Sequence, residues 1–155
     1  MKPDNPILID ERLLAGRPAA GRECGTCTAC CTVLAVAELR KPRRWACDHV
    51  HCAGCGIYAE RPQTCRDFNC AWLRGAIPGD ESLRPDRLGL LFDLFYSTAT
   101  NRSRFVAFEL WNGAFGEAPA AALLRKIAAD REVELSYRDG TWRTIGTTDQ
   151  VENHV

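Results

Sequence analysis

Apolar positions fall into two regimes along this 155-residue chain. From residue 83 to 146 they recur with regular periods, and the order they predict is β-β-α-β-β. LGLLFDLFY, Leu88–Tyr96, reads as a strand, and Thr98–Ser103 as the turn after it. RFVAFELW, Arg104–Trp111, alternates as a second strand and is broken by Asn112-Gly113. PAAALLRKIAAD, Pro119–Asp130, predicts a helix with proline in its first turn and an apolar stripe of Leu123, Leu124, Ile127 and Ala128. VELSY and TWRTI flank Arg138-Asp139-Gly140, where Asp-Gly signals a hairpin.

Residues 22–75 carry little periodicity. VLAV, Val33–Val36, fits either a short strand or one helical turn, because the pattern is too short to decide. The stretch from Pro62 to Gly75 predicts one helix, with Phe68, Trp72 and Leu73 toward a core and Gly75 as its stop. The expected fold class is α+β: a cysteine-rich, metal-stapled N-terminal region on a small antiparallel sheet with one main C-terminal helix. The expected organisation is a single domain over 1–155, with a cysteine-cluster region at 22–75 and the β-β-α-β-β platform at 83–146.

Composition narrows the function classes. The hydrophobic fraction is 46%, and 20 basic side chains balance 20 acidic ones. That balance argues against a nucleic-acid partner, which would need a phosphate-neutralising surface. The run Arg40-Lys41-Pro42-Arg43-Arg44 reads as a solvated turn rather than a polyanion site. The first residues hold no apolar run of signal-peptide length, and no stretch approaches the ~20 apolar residues that span a bilayer. The expected setting is therefore the reducing cytoplasm, with no membrane partner.

All nine cysteines lie between residues 24 and 70. Their spacing is Cys24-x2-Cys27-x2-Cys30-Cys31, then Cys47-x4-Cys52-x2-Cys55, then Cys65-x4-Cys70. In a reducing compartment such a cluster points to metal rather than disulfides, and the odd count argues the same way. A CxxC turn brings two thiolates to one ion and offers backbone N–H groups to the sulfurs. Zn2+ takes four ligands, so eight thiols make two closed sites with one left over. Iron competes: Cys24, Cys27 and Cys30 match the first three ligands of a ferredoxin-type iron–sulfur run, but the fourth position falls on Leu34. The adjacent pair Cys30-Cys31 suits two neighbouring centres, or one ligand plus one buried thiol, better than one tetrahedral ion.

Three further groups of residues bear on this site. His49 and His51 lie inside the second cluster and are expected to support a ligand or face solvent. Arg22, Arg61, Arg66 and Arg74 either offset thiolate charge or pair with Glu60 and Asp67, two readings that stand level. Tyr58 reads as a packed aromatic rather than a catalytic acid, and His154 in the polar tail has no expected role.

Residues 22–74 resemble the cysteine-cluster proteins of the YkgJ type, described as zinc- or iron-chelating domains. The family pattern is a CxxCxxCC-like head and a tail C-x-I-Y-x-x-R-P-x-x-C-R-x-F-x-C. Here the head is Cys24, Cys27, Cys30 and Cys31, and the tail is Cys55, Ile57, Tyr58, Arg61, Pro62, Cys65, Arg66, Phe68 and Cys70. Cys47 matches a cysteine usually found between them. The resemblance implies metal ligation by Cys24, Cys27, Cys30, Cys31, Cys47, Cys55, Cys65 and Cys70, with Zn2+ or iron as the metal and an iron–sulfur cluster as one form of the latter. Cys52 is the thiol left over. A related branch, the flagellin lysine-methylase proteins, carries a similar cluster. An iron or iron–sulfur enzyme acting on a protein side chain is therefore one alternative to a structural metal module, although no Gly-rich methyl-donor loop is present. An accessory protein that hands metal to a protein partner is another.

Overall fold

The computed structural model describes residues 18–97 and 102–146. The β-β-α-β-β order is present in the second half. Strand β3 spans Leu90–Ser97, β4 Arg102–Glu109, β5 Val133–Ser136 and β6 Trp142–Ile145, with helix α5 at Ala118–Ala128. Before them come helix α1 at Ala29–Val33, a small antiparallel pair of β1 (Val50–His51) and β2 (Gly54–Cys55), and three short helices. These are α2 at Gln63–Asp67, α3 at Ala71–Arg74 and α4 at Pro85–Leu88. The class is α+β, with α5 as the main helix.

One expectation about the sheet is corrected. Its order is β3-β4-β5-β6, but β4 and β5 run parallel while the outer pairs are antiparallel. The cause is α5. A strand that leaves through a helix of three turns returns to its neighbour in the same direction, whereas only a tight turn reverses it. The second turn does reverse: Tyr137 N–H donates to Thr141 O, and the Asp139 carboxylate accepts from both the Thr141 N–H and its hydroxyl.

The helix read over Pro62–Gly75 is two helices, α2 and α3, separated at Phe68–Cys70. Phe68 and Cys70 take extended backbone angles. Gly75 does stop α3, in the left-handed region (φ 94°). The strand read from Leu88 begins at Leu90, because Arg84–Leu88 close a helical turn that Gly89 ends at φ 89°. The turn read over Thr98–Ser103 falls largely on residues 98–101, outside those described; β4 already begins at Arg102. In VLAV both readings apply: Val33 ends α1, and Val36 makes an isolated bridge with Lys41.

One hydrophobic cluster joins the two halves. β4 is buried on both faces by Phe105, Val106, Ala107 and Phe108. Phe92 of β3 meets Phe105 edge-on at 6.0 Å. From α5 come Ala120, Leu123, Leu124 and Ile127, with Ala128 packed at the margin. From the cysteine-bearing half come Ala29, Val33, Trp72, Leu73, Ala76 and Ile77, with Phe68 partly buried against them. Burial of each large member stabilises by roughly 1.5–3 kcal/mol. Helices α3 and α4 pack on β3, which is how the cysteine segments are held to the sheet.

The basic run is a solvated turn only in part: Arg40, Pro42 and Arg43 are exposed, whereas Lys41 and Arg44 are not. Lys41 is buried and donates to Leu34 O. The Arg43 guanidinium lies over the rings of Phe108 and Trp142, at 5.9 and 5.7 Å. Arg44 donates to Glu109 O at 2.5 Å and to Ser136 O at 2.7 Å, where β4 and β5 end. Charge density in the sequence marked the run as wet; the sheet ends give it acceptors instead.

Candidate metal centre

All nine cysteines are free thiols. Seven of them, Cys24, Cys27, Cys30, Cys31, Cys47, Cys55 and Cys65, line a single cavity of about 880 Å³. Cys70 is buried immediately before α3, as its N-cap residue, with Cys24 and Cys27 close enough for their charges to raise its thiol further. Cys52 is exposed at the tip of the β1–β2 pair. The eight thiols singled out in the sequence are thus gathered at one place, and the ninth is set apart.

Local structure explains the gathering. The CxxC turn closes with Cys27 N–H on Cys24 O at 2.9 Å. Cys30 and Cys31 are consecutive in α1, so they leave its axis about 100° apart. Cys47 N–H donates to Cys31 O at 2.9 Å, which ties the middle segment to α1. The pairing of Val50 with Cys55, and of Val50 N–H with Cys47 O, folds Cys55 back beside Cys47. Thr64, beside Cys65, is anchored on Glu38 through its N–H and its hydroxyl. Because α2 and α3 are separate helices, Cys65 and Cys70, five residues apart, do not share one helical axis.

Burial disfavours the thiolate at most of these sulfurs, while N–H groups and nearby cations oppose it. Burial pushes the Cys27 thiol up to about 11, while N–H groups of Ala29 and Asp86 bond its sulfur and favour the anion. Cys70 is likewise raised to about 11 by burial, with N–H groups of Leu73 and Trp72 on its sulfur. His49 N–H reaches Cys47 Sγ at 3.5 Å. Cys30 is raised by donating to Cys31, and Cys31 is lowered by accepting that bond. Four cations stand around the group. Arg22 is near Cys70, Arg84 is near Cys27, Lys41 is near Cys47 and Cys31, and Arg61 is near Cys24 and Cys31. Among the described residues, no three His, Cys, Asp or Glu side chains already form a compact ligand set.

The arginines divide. Arg22 donates to Trp72 O and Ile77 O, fixing α3 beside the thiols. Arg61 donates to Tyr58 O and lies 3.8 Å from the centre of the Tyr58 ring. Tyr58 is exposed (57%), so it is not the packed aromatic expected. Arg66 donates to the carbonyls of Arg61 and Ala59, and Arg74 pairs with Asp93 at 3.4 Å. The expected alternative partner Asp67 accepts from Gln63 instead. His49 contributes its backbone, while His51 is exposed with its ring against Gly56.

Sequence reading missed Lys41, Arg84, Asp86 and Asp93. Arg84 grips Asp86 through two bonds of 2.6 and 2.8 Å, and the Cys27 thiol donates to that carboxylate. Neither residue lies near a cysteine in sequence, so nothing marked them. Asp93 lines the cavity from β3, and a signal for it existed: it is the one charged residue in LGLLFDLFY.

Comparison with protein-family models gives no match, and comparisons with curated proteins and with solved structures give none either. Among the described residues no helix is long and apolar enough to cross a membrane.

Proposed function

We propose that this chain is a metal-binding cysteine-cluster protein similar to the YkgJ type, in which Zn2+ or iron holds residues 22–74 together and has a structural role. The observation that carries this reading is the convergence of seven free thiols on one cavity, with Cys70 buried beside Cys24 and Cys27 and Cys52 set apart. The donor set fits. Sulfur suits Zn2+ and iron–sulfur centres, and N–H···S bonds with nearby cations offset the negative charge that thiolates bring. Cys24, Cys27, Cys30, Cys31, Cys47, Cys55, Cys65 and Cys70 are the ligands in this reading. Closing on metal requires side-chain rotation and loss of their protons. A bound ion supplies folding free energy to a segment with few periodic apolar residues.

The three thiols Cys24, Cys27 and Cys30, spaced as in a ferredoxin-type run, support a second reading, an iron–sulfur cluster held by the same set of thiols, in a module that is structural or acts on a protein substrate. Element analysis and an absorption spectrum of anaerobically purified protein separate the two. A colourless zinc protein supports the first, and iron with broad visible charge-transfer absorption supports the second. Protein free of both metals, and unable to take up either, overturns both.

A further inference from the structure

The eight thiols differ in what they pack against. Cys24, Cys27 and Cys30 rest on the hydrophobic cluster, and Cys70 belongs to it. Cys31, Cys47, Cys55 and Cys65 are half-buried on the outer turn of α1, the middle loop, the β1–β2 pair and α2. Resting on the metal-binding reading above, we propose that the thiols form two separate four-thiolate metal sites: an inner one of Cys24, Cys27, Cys30 and Cys70, seated on the core, and an outer one of Cys31, Cys47, Cys55 and Cys65, carried by the loop and hairpin segments.

Two features support this division. The first is helical position: Cys30 and Cys31 leave α1 about 100° apart, so that Cys30 rests on the hydrophobic cluster and Cys31 does not, their sulfurs touching where the two sites adjoin. The second is backbone connection. Cys31 is bonded to Cys47, and Cys47 to the strand that carries Cys55 across from it. Cys24 and Cys27 share one turn.

A divalent ion with four thiolates carries about −2. Four cations are at hand to offset that charge: Arg22 and Arg84 by the inner set, Lys41 beside Cys47 and Cys31, and Arg61 near both Cys24 and Cys31. The inner site is walled by Trp72, Leu73 and Ala29, so its ion exchanges slowly, while the outer ion is the accessible one.

The test uses the full chain, Co2+ as the probe and the single substitutions Cys24→Ser, Cys70→Ser, Cys47→Ser and Cys65→Ser. The wild-type chain is expected to bind two Co2+ with four-thiolate absorption, and a competing chelator should remove one much faster than the other. Each variant is expected to bind one four-thiolate Co2+. Cys47→Ser and Cys65→Ser should lose the fast-exchanging ion, and Cys24→Ser and Cys70→Ser the slow one. Because Cys70 is in the core, Cys24→Ser provides the inner-site result if Cys70→Ser does not fold. Saturation at a single Co2+, or loss of the same ion in all variants, overturns the division while leaving metal binding standing. No Co2+ binding in the wild-type chain, with no zinc or iron in the purified protein, overturns the metal reading itself.

Discussion

Arg44, between the cysteine clusters, donates to the carbonyl oxygen of Ser136 in β5 at 2.7 Å, 92 residues along the chain. Its other terminal nitrogen holds Glu109 O at the end of β4. One guanidinium thus closes the ends of two parallel strands and fixes the loop before Cys47 to the sheet.

Arg44→Met should therefore destabilise the chain by about 1.5–3 kcal/mol, since buried carbonyls lose a charged donor. Arg43→Gln, which gives up only contacts with Phe108 and Trp142, should cost about 0.5–1 kcal/mol. Urea denaturation of both variants checks the order, and equal losses would show that the two arginines do equivalent work.

Gly89 stands at φ 89°, and a Cβ there would lie 2.6 Å from Trp111 Cζ2. Gly89→Ala combines left-handed strain with overpacking, about 2–4 kcal/mol in all. Calorimetry should show a Tm lower by roughly 5–15 °C.

Cys27 lies in the cavity and takes two N–H bonds on sulfur, whereas Cys52 is exposed outside it. Cys27→Ser should purify depleted of metal and prone to aggregate. Cys52→Ser should change metal affinity by less than the roughly 10–100-fold typical of residues that support a ligand. Competition titration with a chromophoric chelator measures both, and matching losses would make Cys52 a ligand.

Metal removal should loosen residues 22–66 and spare the sheet. The cysteine segments have short helices and few buried side chains, while β3 to β6 and α5 hold most of the core. Hydrogen exchange with and without chelator reads this directly. Unchanged protection across 22–66 would refute a structural role for metal.

Burial raises the Asp93 carboxyl despite Leu94 N–H and Arg74 beside it. A carboxyl raised on folding favours the protonated form. Its contribution is present at pH below the ordinary value and fades as pH rises through the folded one. Asp93→Asn should then gain stability relative to wild type on going from about pH 4 to about pH 7. Thermal unfolding across that range checks the sign, and a variant that loses stability relative to wild type as pH rises would contradict it.

The periodic half was legible from local pattern alone, because β-strand alternation, the α5 stripe and the Asp-Gly turn are properties of neighbouring residues. Leu123, Leu124 and Ile127 are buried as the stripe required. The family pattern that residues 22–74 resemble left Cys52 apart from the other eight. Relationships across the chain were not legible. The parallel pairing of β4 and β5 follows from where α5 returns the backbone, and the break at Phe68–Cys70 from Cys70 being drawn into the core while Cys65 stays on the outer segment. Local charge density made Arg40–Arg44 look solvated, yet Lys41 and Arg44 found carbonyl acceptors that exist only once the chain has folded. Sequence spacing fixed which thiols could act together. Which of them share a wall with the core was decided by tertiary packing, because that depends on Trp72, Leu73 and the sheet they rest on.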